Sequence, residues 1–474
     1  MSQDPVLVVD LDGTLLRSDM LLETFWDVLS RDVLGATRAV GKLFAGRAQL
    51  KSALAGQAQI DPALLPYNED ALDYIRSWRG RGGRTALVTA SDQRIADLIA
   101  AELGCFDEVH GSDGDTNLKG SAKRDFLRDR FGPNGFDYMG DSRADLAVWD
   151  QARQVITVDA SSSLRKTVDA AHKEAVHLGQ ASGIGPYLKA LRPHQWTKNV
   201  LIFLPPLAAH ASAGEIWAAA FAAFVAFSLV ASGVYVLNDL LDLPADRAHP
   251  RKRNRPLASG ALPALHGMVM VPVLFGLGFL VALLFTPGAF VALLAGYSAL
   301  TLAYSLKLKR MLIVDICVLA GLYTIRLVGG GLATGVVLSP WLLAFSIFLF
   351  LSLAAVKRQA ELVSDMARGK DGAAGRSYVV ADLPIVAMMA LSSGYVSVVV
   401  MALYLNSDTM RGLYKSPLWL WGICAVLLFW VSRAVMIAHR GQMNDDPVVF
   451  ALKDWTSRIC GLCVAGIAAA AAFL

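Results

Sequence analysis

Apolar and polar positions follow two different patterns along this chain. From about residue 196 onward, apolar runs of about 17–23 residues alternate with short polar segments, the pattern of a polytopic membrane protein. Nine runs qualify as spanning candidates: 198–212, 216–237, 265–285, 287–306, 312–332, 338–356, 384–405, 417–437 and 455–474. The first is short and is broken by Pro205-Pro206. Before residue 180 the runs are brief and charge is frequent. Val6-Leu7-Val8-Val9 reads as a buried parallel strand, Thr85-Ala86-Leu87-Val88 as a second, and the stretch through Tyr138-Met139-Gly140 as a third. Residues 21–33 and 94–103 have helical apolar spacing. The pattern therefore predicts an α/β domain over 1–160, a linker and interfacial helix over 161–190, and an all-α membrane bundle over 191–474. The linker reads as a mixed-charge helix at 164–178, a glycine-containing joint at 179–185 and an amphipathic stretch at 187–192.

Charge sharpens this picture. The net charge of +4 over 474 residues is too small to suggest nucleic acid. The basic residues cluster in alternate loops at 247–255, 307–310, 357–376 and 433–458, whereas 208–214, 286–288 and 334–340 hold no Lys or Arg. The positive-inside bias then predicts nine spans, a cytoplasmic N-terminal domain and an external C-terminus in the inner (plasma) membrane. Val6–Val9 is too short an apolar run for a signal peptide, and acids follow it. Of the five cysteines, Cys460 and Cys463 form a C-x-x-C; that spacing equally places two small residues on one helix face, and it reads as packing. His172 and His177 receive no role.

The most informative stretch is Asn238-Asp239-Leu240-Leu241-Asp242-Leu243-Pro244-Ala245-Asp246, at the end of a long apolar run. Asn238, Asp242 and Asp246 recur every four residues and share one face of a helix. Carboxylates at a membrane boundary are costly unless they hold a cation, and Mg²⁺ with a substrate phosphate suits them. Arg247, Arg251, Lys252, Arg253 and Arg255 follow at once. Acids beside bases point to a diphosphate substrate at a membrane surface.

The soluble domain carries its own acids. Its first strand ends in Asp10-Leu11-Asp12-Gly13-Thr14, its second at Thr89, and its third leads to Asp141-Ser142-Arg143-Ala144-Asp145. Ligands of α/β sheets bind at these carboxyl ends. The D-L-D-G-T run and its companions resemble the haloacid dehalogenase superfamily of phosphotransferases, whose fold is a Rossmann-like sheet with a helical cap. The resemblance implies Asp10 as nucleophile, Asp12 as acid/base, Thr89 as a phosphoryl hydrogen-bond donor, and Lys119, with Lys123 as its rival, as the neutralising cation. It implies Mg²⁺ held by Asp10, Asp12, Asp141 and Asp145, and a cap between Asp12 and Thr89.

Residues 186–474 resemble the UbiA superfamily of intramembrane prenyltransferases, whose first N-D-x-x-D-x-x-x-D signature is complete through Asp246. The second is incomplete: after Tyr304-Ser305-Leu306-Lys307-Leu308-Lys309 comes Asp315, with Leu319 where another acid belongs. This departure resembles the polyprenyl-phosphate phosphoribosyltransferase branch, as do Arg192-Pro193-His194-Gln195-Trp196-Thr197-Lys198-Asn199, Arg326 and Lys357-Arg358-Gln359-Ala360-Glu361-Leu362. The resemblance implies transfer of 5-phosphoribosyl from phosphoribosyl diphosphate to polyprenyl phosphate. Asn238, Asp239, Asp242 and Asp246 are then the catalytic set, and the three aspartates hold Mg²⁺. Lys198, Arg251, Lys252, Arg255, Tyr304, Lys307, Lys309, Arg326 and Lys357 are the substrate-binding candidates. Two competitors stand beside this reading: a prenyl transfer to an aromatic or other acceptor, and a lipid-binding or transport protein without transferase chemistry. The oligomeric state is left open.

Overall fold

The computed structural model describes residues 5–113, 117–180, 183–372, 376–407, 414–443 and 446–473. The chain forms two compact units, one of Met1–Arg192 with Tyr235–Val273, the other of Pro193–Val234 with Leu274–Leu474.

The first unit is built on six parallel strands: β1 Val6–Val9, β2 Thr85–Asp92, β3 Glu108–Ser112, β4 Phe136–Gly140, β5 Gln154–Val158 and β6 Val176–Leu178. Their order is β3-β2-β1-β4-β5-β6. Apolar residues occupy both faces of each central strand, as burial beneath two helical layers requires. Leu7, Val9, Leu87, Met139 and Ile156 fill one core; Val6, Val8, Ala86, Val88, Tyr138 and Val155 fill the other. The chain leaves β1 towards β2 on one side and β4 on the other, so a crevice opens where strand order reverses.

Between β1 and β2 lie the helices Met20–Arg31, Val33–Gly41, Arg47–Ala55 and Glu69–Gly80, the expected cap insertion. Asp19 starts the first by accepting from the Leu21 and Leu22 N–H groups. The sheet continues past residue 160. Ser162–Ala171 is a helix, and β6 pairs with β5 through Ile156↔Val176 and Val158↔Leu178, so most of the stretch read as linker belongs to this sheet. His177 bonds Thr157 Oγ1 at 2.6 Å and Asp169 at 2.8 Å, and His172 lies 3.5 Å from Asp150. His177 is thus held by two hydrogen bonds within the fold, and His172 sits beside a carboxylate.

Among the described residues, eight helices are long and apolar enough to cross a membrane: Gly214–Leu241, Ala264–Phe285, Gly288–Leu306, Val314–Thr334, Pro340–Ala367, Val380–Leu405, Pro417–His439 and Trp455–Phe473. The first of the nine expected runs does not form such a helix. Pro193–Phe203 is a 3-10 helix of 11 residues, and Leu204–Ala208 adds an α-helix of 5. Pro205 and Pro206 offer no N–H for a continuing ladder, which explains the break. With rises of ~2.0 and ~1.5 Å per residue, this segment still reaches up to about 30 Å, roughly the thickness of a hydrocarbon core. Cys460 and Cys463 are free thiols.

Candidate active sites

In the first unit, β1, β2 and β4 end side by side, and the acids that follow them converge. Asp10 comes directly after β1 and accepts from the Leu11 N–H at 2.8 Å. Lys123 Nζ stands 2.8 Å from Asp10 and donates to the Tyr138 hydroxyl at 3.0 Å; Tyr138 in turn donates to Asp145 at 2.9 Å. Asp145 also accepts from the N–H and hydroxyl of Ser142, each at 3.0 Å. Carboxylate oxygens of Asp10, Asp141 and Asp145 lie within 4.8 Å of one another. Burial, then the charges of Asp145 and Asp10, push Asp141 well above the usual carboxylate range. Burial raises Asp10 as well, against the pull of Lys123. A hard divalent cation would relieve this repulsion, and the all-oxygen donor set fits Mg²⁺. Gly13 lets Asp141 approach: at φ +78° it has no side chain, and a Cβ there would lie 2.3 Å from Asp141 Oδ2.

Asp12 stands beside this trio and is not part of it. Its carboxylate accepts from the Met20 N–H at 2.8 Å and the Ser91 hydroxyl at 2.6 Å. Burial first, then the charge of Asp19, raises its pKa to about 7. That is the environment of a proton donor, so three of the four acids read as metal-holding meet and the fourth has a different setting. Thr89 is buried within β2, where its hydroxyl accepts from the Ser91 N–H at 3.0 Å. Lys119 is exposed ahead of the helix Ser121–Phe131, whereas Lys123 lies inside that helix and faces the sheet. The cation at Asp10 is therefore Lys123. Ser91 and Tyr138 escaped the sequence reading because neither belongs to a recognisable spacing.

The acidic stretch belongs to the same compact unit. The helix Gly214–Leu241 ends before Asp242, and Leu243–Ala248 begins after it with Pro244 near its start. The four-residue spacing survives because Asp242 N–H still bonds Asn238 O at 2.9 Å and Asp246 N–H bonds Asp242 O at 2.8 Å. Asp239 and Asp246 are buried. Arg255 donates to both, at 3.0 and 2.5 Å, and Arg192 donates to Asp239 at 2.5 Å. Burial raises Asp246 in spite of Arg255. The side-chain oxygen of Asn238 is buried without a hydrogen-bond partner among the described residues. Three carboxylates and an unsatisfied amide oxygen fit a hard cation, although their oxygens do not converge as tightly as the first trio. Arg251 and Lys252 are exposed. Arg247 is not available to an anion: buried Glu23, from the first cap helix, takes both its terminal nitrogens at 2.7 Å, and its Nε donates to Ala258 O at 3.0 Å. No sequence signal joins residues 23 and 247.

The second unit holds the remaining candidates. Asp315 is completely buried and serves Arg358 at 2.8 Å, Arg376 at 3.1 Å and the Tyr304 hydroxyl at 2.6 Å. Glu361 pairs with both arginines. Leu319, where a second acid was absent, packs against an apolar cluster. Among the described residues Arg326 meets no acid. It donates to Asn199 at 2.8 Å and the Tyr297 hydroxyl at 3.2 Å, and lies over the rings of Phe227, Tyr297 and Tyr323. Those partners satisfy the guanidinium inside an apolar segment without a substrate phosphate. Lys198 pairs with Asp446, Lys357 and Lys309 are half-buried, and Lys307 is exposed.

A parallel α/β unit with an aspartate trio, carried on a chain with eight long apolar helices among its described residues, defines an integral membrane protein with a phosphotransferase-type domain. The chain belongs to the UbiA prenyltransferase family, which it matches over residues 200–455, and residues 7–149 match the haloacid dehalogenase-like hydrolases. It is 39% identical over 464 residues to the uncharacterized protein y4nM of Sinorhizobium fredii, covering 97% of this chain and 89% of that one. It is 39% identical over 290 residues to the nodulation protein NoeC of Azorhizobium caulinodans, covering 61% of this chain and 92% of NoeC. Over 187 residues it is 41% identical to the decaprenyl-phosphate phosphoribosyltransferase of Mycobacterium tuberculosis, covering 38% of this chain and 62% of that enzyme. The membrane transferase is thus related to polyprenyl-phosphate phosphoribosyltransferases and is fused to a haloacid dehalogenase-like domain.

Proposed function

We propose that this protein transfers 5-phosphoribosyl from phosphoribosyl diphosphate to a polyprenyl phosphate, and that its fused domain removes the 5-phosphate of the product. The observation that carries the first half is the state of Asp315. Asp315 stands alone, beside two arginines and a tyrosine, and apolar Leu319 occupies the place of a second acid, so one acidic cluster remains where two would clamp a prenyl diphosphate. The similarity to a decaprenyl-phosphate phosphoribosyltransferase supports the same donor.

Asp239, Asp242 and Asp246, with Asn238, would hold Mg²⁺, which when bound neutralises the leaving diphosphate. Arg255, bonded to two of these acids, would supply a guanidinium for a diphosphate oxygen. The ribose C1–O bond breaks, and the lipid phosphate oxygen forms the new bond. Arg251 and Lys252, exposed in the same unit as these acids, draw anions to the surface. In the other domain, Asp10 would attack the phosphorus of the 5-phosphate while Lys123 offsets charge. Asp12 gives its proton to the departing ribose oxygen and then takes one from the water that hydrolyses the aspartyl phosphate. Both sites work from the cytoplasmic face of the inner membrane in this reading.

The test supplies purified protein with Mg²⁺, radiolabelled phosphoribosyl diphosphate and polyprenyl phosphate, and follows label into lipid. Incorporation that disappears in Asp242→Asn supports the reading. Transfer from a prenyl diphosphate instead moves the protein to the aromatic-acceptor branch, and no transfer from any diphosphate revives the lipid-binding alternative.

A further inference from the structure

Among the described residues up to Leu178, six large apolar side chains are exposed: Val33, Leu34, Val40, Leu43, Phe44 and Leu98. Five of them fall within one 12-residue stretch of the cap. This stretch lies within the helix Val33–Gly41 and the 3-10 turn Lys42–Ala45. Its amphipathicity is inverted. A helix packed on a soluble domain turns its large apolar residues inward. Here Gly35, Ala36 and Ala39 face the cap core with Val28, Leu50 and Leu54, while the large side chains point outward. Phe44, at 100% exposure, makes no use of its ring in the fold.

Cations are interleaved with these tips. Arg38, Lys42 and Arg47 are exposed and form no ion pair among the described residues. Over residues 31–47 the sequence holds four basic residues and one acid, Asp32. Bulky apolar tips among unpaired cations suit a bilayer interface, where the tips enter the acyl boundary and the cations meet lipid phosphates. The same polypeptide carries the eight long apolar helices, so this domain is confined near a bilayer by its own tether.

We infer that residues 33–47 of the cap form a membrane-docking face for anionic lipid, which seats the phosphatase-like domain on the bilayer. The inference rests on the membrane assignment and not on the phosphatase reading. A docked cap would bring that domain to a phosphate on a lipid rather than on a soluble ester.

The experiment uses full-length protein in lipid nanodiscs, with Phe44 replaced by the photo-crosslinker benzoylphenylalanine. Irradiation is followed by mass spectrometry of the labelled peptide. Phosphatidylglycerol adducts are expected at about ten-fold the level of phosphatidylcholine adducts in matched discs, falling to parity in Arg38→Glu/Lys42→Glu. The variant changes only exposed side chains, and an unaltered melting temperature verifies its fold. Adducts confined to other segments of this chain or a second copy, equal capture of both lipids by the unmodified surface, or no lipid adduct overturns the inference. None of these readouts depends on either catalytic activity.

Discussion

Removing the Glu23 carboxylate tests how the phosphatase-like fold holds the acidic stretch. Glu23 and Arg247 are 3% and 6% exposed, 224 residues apart, and joined by two parallel bonds of 2.7 Å. Glu23→Ala leaves a buried guanidinium with only Ala258 O and whatever water enters, and losing one partner of a buried pair costs about 3–5 kcal/mol. A neighbouring cavity of about 50 Å³, lined by Trp26, Leu243 and Pro244 among others, lets water approach, which favours the lower end. For a unit of roughly 230 residues, with about 2–4 °C lost per kcal/mol, the melting temperature should fall by at least about 6 °C. Thermal unfolding of the detergent-solubilised protein, followed by far-UV circular dichroism, would measure it. A cycle with Arg247→Ala and the double variant should give a coupling above about 1.5 kcal/mol. A shift under about 2 °C, or coupling near zero, would refute the claim that this pair holds the cap helix to the residues after Asp246.

The other predictions concern chemistry and one tight turn. Lys123→Met should lower hydrolysis of phosphate esters by at least about a hundred-fold, whereas Lys119→Ala should leave it within about two-fold, as steady-state kinetics on a soluble ester would reveal. Because Asp12 is raised to about 7, its acid form is lost as pH climbs through that value. The kcat for alkyl phosphates should therefore decline above pH 7, while p-nitrophenyl phosphate, whose leaving group needs no proton, should stay level; a matching decline for both would exclude Asp12 as the donor. Gly260 sits at φ +73°, and a Cβ there would come within 2.5 Å of the Arg17 carbonyl oxygen. Gly260→Ala should accordingly cost about 1–3 kcal/mol in the same melting assay.

Much of this organisation was legible in the linear sequence. Strand β1 occupies the residues expected, because four consecutive buried apolar residues before Asp10 suit little else. The fold of both parts and the family assignments agree with the motifs that suggested them. Boundaries were less legible. The segment after residue 160 has the composition of a linker, yet Val176–Leu178 adds the sixth strand, because pairing to β5 is a non-local contact. The run at 198–212 has the hydropathy of a span, yet adjacent prolines and 3-10 geometry remove it from the long α-helices.

The sequence by itself determined which chemistry is available: carboxylates at strand ends, a second set beside an apolar run, and cations close to both. Local spacing was enough for that, since motif residues within a few positions of one another share a helix face or a loop. Tertiary structure decided which cation serves which acid. Lys123 rather than Lys119 reaches Asp10, Arg255 bridges Asp239 and Asp246, Arg247 turns to Glu23, and Asp315 is spent on Arg358 and Arg376. The physical reason is that a buried charge must be matched where it lies, by whatever group the packing of distant segments brings within about 3 Å. Sequence distance carries no information about that match.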